Sequence, residues 1–166
     1  MSNLSCQRIM VAIDGSEARH AAANYASRLA RKLSATLIVV GVIDATVGTD
    51  PQDLTGSSEL IELIDQRVQD EVNEIVEEAR QVGVAEVERQ IVVGDPRAVI
   101  VQAVLDHEAD LLVIGSRRCS AIQHLLTGSL TEYLVEHAPS PVLIVRSDQD
   151  PDQWDREFTP YVAMGR

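Results

Sequence analysis

Short runs of apolar residues alternate along the chain with longer stretches in which apolar residues recur at a helical spacing. The apolar runs are continuous rather than alternating, which is typical of strands buried on both faces of a parallel sheet. The third run also carries charges, so it is predicted to lie at a sheet edge. The five predicted strands are Ile9–Ile13, Thr36–Ile43, Glu86–Val93, Leu111–Ile114 and Val142–Val145.

Four amphipathic helices are predicted between these strands, because their apolar residues repeat every three to four positions. They run from about Ser16 to Leu33, Ser58 to Val82, Pro96 to Glu108 and Ser129 to His137. Asp95 is expected to cap the third helix, with Pro96 in its first position. Strands that alternate with helices indicate right-handed βαβ units and therefore a parallel α/β sheet.

Two glycines in the last quarter of the chain point to a ligand. Gly115 follows the fourth strand, and Gly128 with Ser129 begins the fourth helix. A glycine at the carboxyl end of a parallel strand lets the backbone approach a ligand closely. A helix N-terminus presents free N–H groups and the positive end of the helix dipole, which suits a phosphate. One anionic ligand could therefore contact both positions.

On these residues the chain resembles the universal stress protein family, over roughly residues 5–146. The nucleotide-binding branch of that family has glycine, two residues, glycine, nine residues, glycine and then Ser or Thr in its last loop. Gly115 and Gly128-Ser129 match this pattern, whereas Arg118 stands in place of the middle glycine. The resemblance implies a doubly wound, flavodoxin/Rossmann-like sheet of five parallel strands in the order 3-2-1-4-5, with helices on both faces. The ligand cleft would lie between the first and fourth strands, at their carboxyl ends.

The resemblance also implies which residues would contact ATP or a related adenine nucleotide. Asp14 would contact the nucleoside, Ala12 and Ile13 would wall the adenine pocket, and the backbone of Val42 would recognise adenine. The matching phosphate-binding helix start is Gly128, Ser129, Leu130 and Thr131. Structural roles account for the same residues: Asp14 as a helix cap, Val42 as core, and the helix start as an ordinary Gly/Ser N-cap.

Because of Arg118, the sequence does not decide whether the chain binds a nucleotide. A glycine there adopts a positive φ and approaches phosphates at little cost, whereas an arginine does not. The guanidinium of Arg118 could instead pair with the phosphates, or it could fill the site as in family members that bind no nucleotide. The neighbouring Arg117 has the same two interpretations. The sequence does not decide whether Mg²⁺ accompanies the nucleotide.

Length, net charge and cysteine spacing indicate the domain size, the partners that are not expected and the state of the thiols. The 166 residues are long enough for one domain with a substantial core. A net charge of −12 repels nucleic acid and anionic membrane surfaces, so neither is expected as a partner. No apolar run approaches the ~20 residues that span a bilayer, and the N-terminus lacks the apolar core of a signal peptide, so a cytoplasmic location is expected. Cys6 and Cys119 have no metal-ligand spacing and are expected to be free thiols.

The domain is expected to span residues 1–146, followed by an acidic tail over residues 147–166. Three aromatic residues of the tail, Trp154, Phe158 and Tyr161, allow two interpretations. Either the tail is a disordered terminus, or these residues dock on the domain or on a second subunit.

Three functions are compatible with the sequence. The first is a stress-response regulator that binds ATP or a related adenine nucleotide and changes a surface read by an unknown protein partner. The second is a dimeric interaction module that binds no nucleotide. The resemblance implies a homodimer through the last strand, Val142–Val145, in both cases. The third, a slow ATPase or autophosphorylating protein, is disfavoured because no carboxylate or histidine is clearly placed as a base. No catalytic residue and no metal ligand are assigned.

Overall fold

The computed structural model describes residues 6–13, 19–44, 57–116 and 130–146. Strands and helices alternate through these ranges, and their bounds agree with the predicted ones to within three residues. The elements are β1 (Arg8–Ile13), α1 (Arg19–Leu33), β2 (Thr36–Asp44), α2 (Ser57–Gln81), β3 (Val87–Gly94), α3 (Pro96–Asp106), β4 (Leu111–Ser116), α4 (Leu130–His137) and β5 (Val142–Arg146).

All four strand pairings are parallel, and the strand order is β3-β2-β1-β4-β5. The predicted doubly wound α/β sheet is therefore confirmed, as is the edge position of β3. The chain builds outward from β1 to β3 and then returns to the other side of β1 for β4 and β5. The direction of building reverses between β1 and β4, and this reversal is the feature that locates ligand sites in open α/β sheets.

Helices cover both faces of the sheet, so each central strand contributes to two apolar cores. In β1, Ile9, Val11 and Ile13 pack with α1 and α2. Met10 and Ala12, which alternate with them, pack with α3 and α4. Because successive side chains of a strand point to opposite faces, a strand covered on both sides must be apolar throughout. This explains the continuous apolar runs of the sequence.

Gly41 of β2 lies under α2. A Cβ atom at Gly41 would lie 2.7 Å from a methyl carbon of Val68, 2.7 Å from one of Val72 and 2.8 Å from Ile91 Cδ1. These distances are shorter than a normal contact between carbon atoms, so α2 and β3 already fill the space that a side chain would need. The glycine thus allows α2 to pack closely on the sheet.

The third helix begins as predicted. Asp95 is its N-cap, and the Asp95 carboxylate accepts a hydrogen bond from the amide of Arg97 at 3.0 Å. Pro96 occupies the first turn, where its missing N–H group costs no helical hydrogen bond. This cap lies at the carboxyl end of β3, and it turns the chain back across the sheet without a long connection.

Candidate functional site

The sheet opens between β1 and β4 at their carboxyl ends. The last paired residues are Val11 and Val113, although β1 continues to Ile13 and β4 to Ser116. On their other sides, β1 stays paired with β2 to its last residue, and β4 stays paired with β5 to its last residue. Among the described residues, β1 and β4 thus separate at the point where the strand order reverses.

The same two strands are held together at their amino ends. The amide of Asp110, just before β4, donates to the Arg8 carbonyl oxygen at 2.9 Å. The Asp110 carboxylate in turn accepts from the amides of Gln7 and Arg8 at 2.8 and 2.9 Å. β1 and β4 are therefore joined at their amino ends, whereas their pairing stops before their carboxyl ends.

Ala12 and Ile13 form the part of β1 that lies beyond the last pair with β4. Ala12, with 8% of its surface exposed, faces α3 and α4, whereas Ile13 is fully buried and faces α1 and α2. The resemblance implies that both residues help to wall an adenine pocket. Their side chains lie on opposite faces of the sheet, so Ile13 could contribute to such a pocket only through its backbone.

Val42 lies on the same face as Ala12 and is 4% exposed. The register of β1 with β2 ends at the pair of Ile13 and Gly41. Val42 is therefore the first residue of β2 beyond the end of β1, while it remains paired with Val92 on the β3 side. The peptide groups next to Val42 are at the rim of the opening, as a backbone contact with a ligand requires.

Gly115 is half-buried and lies on the β4 side of the opening. It pairs with Val145 of β5, but it lies two residues beyond the last pair with β1. α4 begins on the face that carries Ala12, and Leu130 in its first turn packs against that core. Thr131 is half-buried in the same turn. The structure therefore brings Ala12, Gly115 and the start of α4 to one edge of the sheet.

The other predicted site residues lie outside the described residues. They are Asp14, Arg117, Arg118, Gly128 and Ser129. By sequence, Asp14 directly follows the last residue of β1, and Arg117 directly follows the last residue of β4. Cys119, the connection over residues 45–56 and the tail over residues 147–166 also lie outside the described residues.

Comparison with known proteins identifies the family. The model of the universal stress protein family matches residues 6–146. A Staphylococcus aureus (strain USA300) protein that carries the universal stress protein name is 31% identical over 162 residues, which cover 96% of this chain and 93% of that protein. The chain belongs to the universal stress protein family.

Solved universal stress protein structures have the same fold. The universal stress protein UspA from Lactobacillus plantarum superposes with a TM-score of 0.75 at 27% identity, covering 87% of this chain and 100% of that one. A universal stress protein crystallised in complex with cAMP superposes with a TM-score of 0.64 at 25% identity, covering 86% and 98% of the two chains.

A polar cluster closes the opposite, amino-terminal edge of this universal stress protein fold. The Arg8 guanidinium lies 3.0 Å from the Glu88 carboxylate and donates to the His107 carbonyl oxygen at 2.6 Å. The His107 ring contacts Gln90 at 2.8 Å and Glu88 at 3.3 Å. These contacts join β1, β3 and the C-terminal end of α3, and such a connected network rigidifies the fold.

The reactivity of Cys6, the grouping of metal ligands and the length of the helices also bear on function. Burial raises the pKa of the Cys6 thiol, and the nearby Asp110 carboxylate adds to this effect, so Cys6 stays protonated and poorly nucleophilic at neutral pH. Within the part of the chain that the structure describes, no three His, Cys, Asp or Glu side chains are grouped to hold a metal ion. The helices of that part are all too short or too polar to cross a membrane.

Proposed function

We propose that this chain is a cytoplasmic stress-response regulator that binds ATP or a related adenine nucleotide between β1 and β4, with little or no turnover. The observation that carries the proposal is the separation of the two strands beyond Val11 and Val113. The class of ligand is supported by the universal stress protein complex with cAMP, which is an adenine nucleotide, at 25% identity.

The α3 face of β1 suits a flat aromatic base. Along this face the side chain changes from Met10, which is fully buried, to the much smaller Ala12 near the opening. Ala12 and Val42 would contact the adenine ring from one side. The peptide groups at the strand ends would supply the donors and acceptors that read the edge of the base, as is usual in largely apolar ligand pockets.

The start of α4 suits the phosphates. N–H groups of the first helical turn carry a positive partial charge and have no helical acceptor. Leu130 and Thr131 contribute such groups, and Gly115 allows the chain to approach the phosphates without a side chain between them.

A net charge of −12 opposes the binding of any anion, so the site needs local positive charge. Arg117 and Arg118, which follow β4 in the sequence, are candidates to provide it. Mg²⁺ would neutralise part of a triphosphate.

We also propose that the protein forms a homodimer through β5. This strand is at the edge of the sheet, and its Ile144 is 40% exposed. Val135 on the adjoining helix α4 is 55% exposed. An edge strand with unpaired peptide groups and an exposed apolar side chain favours pairing with another strand. Antiparallel pairing with β5 of a second copy would cover Ile144 and satisfy these peptide groups.

The substitution Ala12→Leu tests the nucleotide site. A leucine would occupy the space beside the opening that the base requires, so the affinity for ATP should fall by at least about tenfold. Isothermal titration calorimetry with ATP, AMP, cAMP, adenosine and GTP, with and without Mg²⁺, measures the affinity and the selectivity. Ala98→Leu is the matched control, because Ala98 is exposed on α3. Binding of no adenine compound by the wild type, or equal affinity in Ala12→Leu, would contradict the proposal.

A further inference from the structure

Arg146 ends β5, which lies on the side of β4 away from β1. It pairs with Ser116, the last residue of β4, so the two strands reach the carboxyl edge together. Adjacent strands lie about 4.8 Å apart. The backbone of Arg146 is therefore one strand spacing from the end of β4, the strand that carries Gly115. An extended arginine side chain can span more than that distance.

The side chain of Arg146 leaves the sheet on the face of the proposed ligand. Leu143 and Val145 pack with the α1 and α2 core, whereas Val142 packs with the α3 and α4 core. Side chains of a strand alternate, so Arg146, four residues after Val142, shares the face of Val142. That face also carries Ala12 and the first turn of α4. The side chain is exposed at this edge.

Charge differs between the two sides of the opening. On the β1 side, β2 ends in Asp44, and Asp95 follows β3. Arg97, in the first turn of α3, directs its guanidinium to α4, where it lies 5.7 Å from the centre of the Tyr133 ring. On the β4 side, β5 ends in Arg146. The first turn of α4 contains Glu132, whose carboxylate opposes the binding of an anion at the helix start. A nucleotide has uncharged base and sugar at one end and phosphates at the other. These charges favour the orientation that places its phosphates toward β4 and β5.

We propose that Arg146 contacts the phosphates of the bound nucleotide and makes affinity depend on the number of phosphate groups. Guanidinium groups bind phosphate oxygens through two parallel hydrogen bonds, which gives both energy and orientation. The proposal rests on the proposed function, because it needs a nucleotide between β1 and β4. The glycine pattern of the sequence does not include Arg146. Its only signal is a single arginine at the end of the last apolar run.

Affinities of Arg146 variants for ATP, ADP, AMP and adenosine test this role. Arg146→Ala should weaken ATP binding about 5- to 20-fold and change adenosine binding by less than about twofold. Arg146→Lys keeps the charge and loses the paired geometry, so its loss should be smaller and confined to the phosphorylated ligands. Arg89→Ala is the matched control, since Arg89 is an exposed arginine on the opposite edge strand and its removal changes the net charge equally.

The outcomes separate this role from a structural one. If Arg146 only stabilises the start of α4, its loss should lower the melting temperature and weaken ATP and adenosine equally, which would overturn the proposal. Unchanged ATP affinity in Arg146→Ala would also overturn it and leave nucleotide binding intact. A wild-type protein that binds no nucleotide would overturn the proposed function as well. Circular dichroism checks folding, and Arg146→Gln replaces the alanine variant if that variant is unstable.

Discussion

Two strand glycines, Gly41 and Gly115, have different tasks although both lie late in their strands. Gly41 is buried under α2, where a Cβ atom would lie within 2.8 Å of three side chains. Gly115 is half-buried beside the opening between β1 and β4. The first glycine is required for packing inside the protein, and the second is suited to the approach of a ligand.

The same substitution at the two glycines should therefore give different results. Gly41→Ala should lower the free energy of unfolding by about 1–3 kcal/mol, because the added methyl group forces α2 away from the sheet. Gly115→Ala should chiefly weaken nucleotide binding, because its methyl group would lie beside the proposed ligand. Denaturant unfolding and calorimetry measure the two effects. A Gly41→Ala protein as stable as the wild type would show that α2 is not packed as described.

For single residues of the candidate site, the sequence does not predict which face of the sheet each side chain is on. The resemblance implies that Ala12 and Ile13 both help to wall the adenine pocket, and the structure adds that their side chains face opposite sides of the sheet. The apolar run around them gives no sign of which residue faces which helix layer, because both layers are apolar. The position of Val42 just beyond the end of β1 also depends on the register between strands, which a single strand sequence does not contain.

At the scale of the elements, the strands were predictable because each central strand is covered on both sides. Helices α1 and α2 were predictable from their apolar stripes, whereas α3 is apolar on more than one side and was located by its Asp95-Pro96 start. The strand order was not predictable from these patterns, because the central strands are alike in composition. It came from the family resemblance. The point at which β1 and β4 stop pairing involves two strands far apart in the sequence, so only the structure reveals it.

The prediction for the elements concerns the oligomeric state and the edge strand β5. Ile144→Lys should abolish or strongly weaken the proposed homodimer, because a charged side chain on an edge strand opposes strand pairing. Analytical ultracentrifugation measures the change in oligomeric state. Val93→Lys is a matched control, since Val93 is 64% exposed on the other edge strand, β3. A dimer that survives Ile144→Lys but not Val93→Lys would assign the interface to β3 instead.

At the scale of the whole molecule, the two edges of the sheet differ, and the proposed ligand site lies at only one of them. The amino-terminal edge is closed by the contacts of Arg8, Glu88, His107 and Asp110. At the carboxyl-terminal edge, β1 and β4 stop pairing, Gly115 lies beyond their last pair, and α4 begins. The strongly acidic surface opposes anion binding elsewhere, so an anionic ligand should be confined to the region where arginines and a helix start offset the field.

Hydrogen–deuterium exchange of the full chain, with and without saturating ATP, tests the central claim most directly. If ATP binds between β1 and β4, exchange should slow at residues 12–13, 42–44, 115–116 and 130–131, because the ligand covers these backbone groups. Exchange should stay unchanged at the amino ends of the same strands, over residues 8–10, 36–38 and 111–112. Protection confined to those amino ends, or no protection anywhere in the chain at an ATP concentration of 1,000 times the measured Kd, would contradict the account.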